Sequence, residues 1–204
     1  MDVQEYWQER GKTYMDKMTA DNIQAQIFRK QEYALLEQLK QMQFYKVLDV
    51  GCGYGRISKL ILDNFKKVEI TGIDISKEQL ENAKKFVNDK RASFGIGNVY
   101  HLDYADNTFD LVVGVDLLLH IPDDMINKVI SELIRVSKKY VIHADWYELE
   151  WIGKSKGGYC WCHDYINVYR SNNYVVKEVP TYQYSRQSLF ILNKETDKLD
   201  QHEV

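Results

Sequence analysis

The 204-residue chain has no apolar run long enough to span a bilayer; its longest, around Leu111 to Leu119, is broken by Asp116. A membrane helix needs about 20 such residues, so no membrane insertion is expected. The opening residues, Met-Asp-Val-Gln-Glu-Tyr, lack the basic-then-apolar order of a secretion signal. Only three cysteines are present, too few for a disulfide framework, and a reducing cytoplasm is the simplest home. Charge of one sign is also missing. Lysines and arginines are scattered among acids to give a net charge of −3, with no basic stripe for nucleic acid and no polybasic tract for anionic lipid. Internal repeats and low-complexity linkers are absent, and the length suits one domain, residues 1–204, better than two.

What the chain does have is a concentrated run at 46–56, Lys-Val-Leu-Asp-Val-Gly-Cys-Gly-Tyr-Gly-Arg. Val47, Leu48 and Val50 read as a strand that carries Asp49 into a loop with glycine at every second position, Gly51, Gly53 and Gly55. Ile57, Leu60, Ile61 and Phe65 then follow the spacing of one buried helix face. Strand, glycine loop and helix together bring bare backbone amides against a ligand. The next strand, Val68 to Ile73, ends in Asp74, 19 residues beyond Gly55. At that interval a nucleotide-binding βαβ unit sets the carboxylate that grips ribose hydroxyls. A dinucleotide fingerprint wants glycine or alanine at position 56, where Arg56 stands. An acid two residues before the first glycine, with Cys52 inside the loop, suits a ligand with a free amino-acid end: Asp49 for its ammonium, loop amides for its carboxylate.

On these residues the chain resembles the class I S-adenosylmethionine (AdoMet) dependent methyltransferases, and is most similar to their small-molecule, ubiquinone-biosynthesis-like branch. The resemblance covers about Arg29 to Asp145. It implies AdoMet as cofactor, with Ile75 following Asp74, Val99 packed on the adenine, and Asp116 opening the stretch beside the transferred methyl group. Arg56 and Arg29 become candidates for the methionine carboxylate; Arg29 reads equally as a solvated helix residue. The family usually has an acid where Asn98 stands, accepting from the adenine amino group, and an asparagine oxygen still accepts. Nucleic-acid and glutamine amino-methylases carry an Asn/Asp-Pro-Pro-Tyr/Phe tetrapeptide after the fourth strand. This chain has His120-Ile121-Pro122 there. The resemblance thus implies methyl transfer to an oxygen or nitrogen of a small organic acceptor, with no nucleic-acid partner expected. Protein or RNA methylation, a non-catalytic AdoMet-binding subunit and a dehydrogenase are the rival readings. The oligomeric state is not legible.

Strands alternating with helices, then a final hairpin near 174–178 and 188–192, predict an α/β sheet of seven strands with the last antiparallel and helices on both faces. Helices are expected over 4–18 and 22–42, after a Ser76/Gln79 capping box, through Ile126 to Leu133, and after Asp164. The chain then divides into N-terminal helices over 1–42, a cofactor core over 46–145, an acceptor-site insertion over 146–163, a C-terminal helix and hairpin over 164–195, and a loose tail over 196–204. Within the insertion and the first helix aromatic residues are dense: Trp146, Trp151, Tyr159 and Trp161, with Tyr6, Trp7 and Tyr14. They read as a lid over an organic substrate beside Asp145, or as an extra strand completing the core. For a hydroxyl acceptor a histidine base is the natural choice. His163 stands first, then His143 and His120, each also readable as a structural histidine. Cys160-Trp161-Cys162-His163 invites a zinc reading, but one intervening residue strains a shared tetrahedral centre, and two small buried hydrophobes fit as well. No metal is expected.

Overall fold

The structure, a computed structural model, describes residues 3–19, 23–157, 159–181 and 186–199. The chain divides into two compact units, Met1–Asn98 and Val99–Val204. In the first, helices α1 (Val3–Thr19) and α2 (Ile23–Leu39) precede β1 (Lys46–Val50), α3 (Arg56–Asn64), β2 (Glu69–Asp74), α4 (Lys77–Val87) and β3 (Ala92–Ile96). The three strands run parallel, with Val47 opposite Ile70 and Ile70 opposite Ala92. Parallel neighbours need crossovers, which α3 and α4 supply. Every β1 residue after Lys46 is buried, as its near-continuous apolar run requires. Helix α2 buries Phe28, Leu35 and Leu39 along one stripe and stops at Leu39, short of the expected 42, with Met42 half-buried beyond it.

Two details of this unit shape the loop. The Ser76 side chain caps α4 by accepting from Gln79 N, but Ser76 N donates to Asp74 Oδ1 at 2.8 Å. Only half of the expected capping box therefore forms. At Gly55, φ is 85°, and a Cβ there would lie 2.6 Å from Val87 Cγ2. This glycine lets α3 start hard against α4, in a backbone region that side chains avoid.

The second unit holds β4 (Phe109–Val115), α5 (Ile126–Val136), β5 (Ser137–Trp146), β6 (Lys154–Lys156), β7 (Cys160–Cys162), α6 (Tyr165–Ser171), β8 (Lys177–Pro180) and β9 (Gln187–Asn193), with short 3-10 turns at Leu118–His120 and Leu149–Trp151. β4 and β5 are parallel, while β9 runs antiparallel to β5 on one side and β8 on the other. Seven strands make one mixed sheet in the order β3-β2-β1-β4-β5-β9-β8, the expected sheet with its last strand antiparallel. Asp164 caps α6 by accepting from Asn167 N, also as expected.

Elsewhere the structure departs from expectation. The strand expected over 174–178 lies at Lys177–Pro180, because Tyr174 instead bridges Lys198. That bridge also pins the start of the tail: Val175 N donates to Asp197 O and Leu199 N to Asn173 O, so 196–199 is not loose. Residues 200–204 lie outside the described residues. Of segment 146–163, Trp146 closes β5 in the main sheet; among the described residues beyond it no further strand joins that sheet, and β6 and β7 pair as a separate antiparallel ribbon. Among the described residues no helix is long and apolar enough to cross a membrane.

Candidate functional site

In the first unit the site grows from the exit of β1. Gly51, Gly53 and Gly55 all have positive φ, at 64°, 53° and 85°, so the loop turns where side chains would strain it. The loop is tied to β2 by Cys52 N donating to Ile73 O at 3.0 Å and by Gly53 N donating to Asp74 Oδ2 at 3.0 Å. Asp74 also takes amides from Ser76 and Ile75, while burial pushes its carboxyl above the usual range. Asp49 is buried, accepts from Ser58 Oγ at 2.6 Å, and is pushed up to about 7 by burial. Cys52 is buried with its thiol raised by burial, a packing residue of the loop and not a nucleophile.

Sequence reasoning treated Gln79 only as a capping residue. It is buried, and because Asp74 takes Ser76 N, its Oε1 has no hydrogen-bond partner. Among the described residues, chain neighbours aside, its Nε2 is the one heavy atom within 4 Å of where a Gly53 Cβ would lie, at 3.9 Å. A bare loop with room above Gly53, flanked by a paired carboxylate and an unsatisfied amide oxygen, fits a ligand rich in hydroxyls and N–H donors. Nothing in a sequence announces an orphaned oxygen, which arises only from competition for Ser76 N.

Several candidates are otherwise engaged. Arg56 donates to Glu32 Oε1 at 3.0 Å and Gln31 Oε1 at 3.1 Å, and its guanidinium lies over the Phe28 ring. It braces α2 against α3 in this state instead of facing the loop as a carboxylate ligand. Arg29 is exposed on α2, and Asn98 is exposed beyond β3. Tyr6 and Trp7 pack edge to face at 5.2 Å, with Arg10 over both rings. The Tyr14 side chain lies outside the described residues. The face of α1 at Gly11 rests on the first turns of α4, where Asn82 Nδ2 donates to Gly11 O.

In the second unit Val99 is buried, and Asp116 leaves β4 with φ 56° and accepts from Gln187 Nε2 at 2.6 Å. The three histidines divide sharply. His163 is buried with Nδ1 facing Asp123 Oδ1 at 2.9 Å and Nε2 facing Leu118 O at 3.1 Å. Both ring nitrogens meet oxygen acceptors, so neither lone pair is open to a substrate proton, and the first-ranked base is corrected to a structural residue. His143 is wholly buried between Phe190 and Tyr169, with Nδ1 against Asp145 Oδ2 at 3.0 Å. Burial drives His143 down to about 3 and Asp145 up to about 8, each resisting charge in the same dry interior. Neither has surface for an acceptor, which corrects both the base reading of His143 and the substrate-contact reading of Asp145. His120 is half-buried, and its Nδ1 lies 2.8 Å from Tyr159 O. A carbonyl only accepts, so Nδ1 carries the proton and Nε2 is the basic nitrogen of the neutral ring.

The aromatic insertion meets that histidine at Tyr159 and Cys160. Trp146 Nε1 donates to Glu148 Oε1 at 2.6 Å, and its ring lies 5.4 Å from that of Trp151. Tyr159 is exposed and Trp161 half-buried at the ribbon. Cys162 is buried against the backbone of Trp146 and Glu148, while Cys160 Sγ lies 3.8 Å from His120 Nδ1. Among the described residues no three metal-binding side chains converge.

Comparison with known proteins agrees with this geometry. Residues 47–140 match the family model described as a methyltransferase domain. The methyltransferase GfsG of Streptomyces halstedii is 34% identical over 106 residues, 50% of this chain and 37% of its own length. A 2-methyl-6-phytyl-1,4-hydroquinone methyltransferase of Synechocystis is 35% identical over 103 residues, 49% of this chain and 31% of its own. The chain thus spans about a third of the length of these curated relatives. Among solved structures, magnesium protoporphyrin IX methyltransferase from Synechocystis with bound S-adenosylhomocysteine superposes with a TM-score of 0.70 at 15% identity, covering 94% of this chain and 97% of that one, a likeness of fold. Over residues 47–140 the chain is thus similar to methyltransferase domains, on a fold like that of a methyltransferase solved with S-adenosylhomocysteine.

Proposed function

We propose that this protein transfers a methyl group from AdoMet to an oxygen or nitrogen of a small organic acceptor, with His120 as the base. Asp74 would take the ribose hydroxyls, and Gln79 Oε1 a further hydroxyl or N–H donor of the nucleoside. Asn98 would accept from the adenine amino group and Asp49 would balance the ammonium through the loop. When bound, AdoMet supplies a methyl group already activated by its sulfonium, so the chain needs no nucleophile of its own. Its residues need only hold the acceptor, exclude water and receive one proton. His120 Nε2 would receive that proton as the acceptor oxygen or nitrogen bonds to the methyl carbon and the carbon–sulfur bond breaks.

The observation that carries the reading is the His120 ring, half-buried beside an aromatic ribbon and fixed by the Tyr159 carbonyl in the tautomer a base requires. A hydroquinone in one relative's name is consistent with a small organic acceptor, and the charges scattered along the sequence favour a small molecule over a polyanion. Incubating the protein with methyl-labelled AdoMet and cell extract, then separating metabolites, protein and RNA, tests it. Label should enter the metabolite fraction, and His120→Gln should cut the rate by about 10²–10⁴-fold with S-adenosylhomocysteine affinity unchanged. Label confined to protein or RNA overturns the acceptor class. A fully active His120→Gln overturns the base.

A further inference from the structure

We infer that Asp145 is a positioning residue: buried behind the turn that bears His120, it anchors that turn's backbone and so sets the histidine ring. This rests on the reading of His120 as the base. The chain leaves β4 at Asp116 in a left-handed conformation, φ 56°, held by Asp116 N to Ala144 O. Leu119 N then donates to Asp145 Oδ1 at 3.1 Å, and the backbone amides of Leu118 and Leu117 add a weaker pull that favours the charged carboxyl. Successive amides of this kind form a nest, here met by a carboxyl oxygen of the protein's own buried side chain. The sequence Asp-Leu-Leu-Leu-His has no capping side chain at Leu117 to meet these donors, and none forms. Asp145 replaces the local cap from the neighbouring strand.

The turn is gripped from its other side as well. Leu118 O accepts from both Ile121 N at 3.0 Å and His163 Nε2 at 3.1 Å, while His163 is held by Asp123. The other oxygen of Asp145 is occupied by His143 Nδ1, and His143 is wedged among Tyr165, Tyr169 and Phe190. The carboxylate therefore has one arrangement, and so does the turn. His120 follows at the turn's last residue, where its N donates to Leu117 O and its ring reaches the Tyr159 carbonyl. Three residues invisible to solvent would thus orient one ring that meets the acceptor.

The test uses the full chain with 15N-labelled histidine, His120 being assigned by its loss in His120→Gln. Long-range 1H–15N spectra across a pH titration should show wild-type His120 in the Nδ1–H tautomer. Asp145→Ala should redistribute His120 toward the Nε2–H tautomer that free imidazole side chains prefer, and speed amide exchange at Leu117 to Leu119 at least tenfold. Asp145→Asn keeps an acceptor oxygen and should restore the tautomer, with exchange intermediate between the two. A role confined to overall stability would lower the melting temperature yet leave the tautomer and the local exchange unchanged, and that result overturns the proposal. Should Asp145→Ala not fold, Asp145→Asn decides: unaltered exchange at Leu117 to Leu119 overturns it. The His120 reading fails separately, if His120→Gln transfers label at the wild-type rate while the Asp145 variants still disturb the ring.

Discussion

At the scale of single residues, the informative positions are those where two groups compete for one partner. Ser76 N is claimed by Asp74, which leaves Gln79 Oε1 buried and unsatisfied. Such an oxygen costs about 1–3 kcal/mol until a donor meets it. Replacing Gln79 by methionine, similar in length and apolar, should therefore raise the stability of the ligand-free protein by about 1 kcal/mol. The same change should weaken S-adenosylhomocysteine by roughly tenfold, because a bound donor loses its acceptor. Opposite signs for stability and affinity are the signature. Melting curves and calorimetry read both, and a variant that loses stability without losing affinity would assign Gln79 to packing alone. Asp49, the three glycines and Asp74 were legible in the sequence as one strand-loop unit, since that unit depends on local backbone geometry. The surroundings of His163 and His120 were not legible, because which ring nitrogens face acceptors is decided by Asp123 and Tyr159, some 40 residues away along the chain.

At the scale of elements, the α3–α4 contact is a tight constraint. Gly55 combines φ 85° with 2.6 Å between its virtual Cβ and Val87 Cγ2. Alanine there must bear the left-handed backbone, about 1–2 kcal/mol, and displace Val87, about 1–3 kcal/mol more. Gly55→Ala should lower unfolding stability by about 2–5 kcal/mol in urea titrations, whereas Gly55→Ala with Val87→Ala should recover the steric part but not the backbone part. Full recovery in the double variant would show that the left-handed turn is free of strain. Most elements were legible because their periodicity is local: the α2 stripe, the β4 run and the Asp164 cap all stand where the spacing puts them. The ribbon of β6 and β7 was not, since Lys154–Lys156 is polar and wholly exposed and carries no apolar alternation. β8 was displaced for a related reason. Tyr174 and Val175 carry strand propensity, but the tail residues Lys198 and Asp197 take their pairing.

At the scale of the whole molecule, three buried groups set how stability depends on pH. Asp49 holds its proton in the folded protein up to about 7, whereas an unfolded aspartate releases it near 4. Between those values the folded state binds the extra proton, so stability falls as pH rises, by at most about 1.4 kcal/mol per unit. His143 and Asp145 act as one coupled group. From about 4 to 6.5 the unfolded pair carries one proton, on histidine, and the folded pair carries one as well, so it adds no slope. Above 6.5 the unfolded histidine releases its proton while the folded pair keeps one up to about 8, which extends the decline. Below 4 the unfolded pair gains a second proton that the buried His143 resists down to about 3, and stability falls on the acid side too. Asp89 and Glu132, each lowered to about 2 chiefly by an arginine hydrogen bond, steepen that acid limb. The maximum should therefore lie near pH 4–5, below the range usual for globular proteins. Urea unfolding at unit steps from pH 3 to 8 should show it, and Asp49→Asn should flatten the slope between 5 and 7 while leaving the fall from 7 to 8 in place. Stability that rises from pH 5 to 7 would mean that Asp49 is ionised in the ligand-free fold. Saturating S-adenosylhomocysteine supplies the ammonium that Asp49 is proposed to balance, so the ligand's stabilisation should grow from pH 5 to 7.5 in the wild type and stay constant in Asp49→Asn.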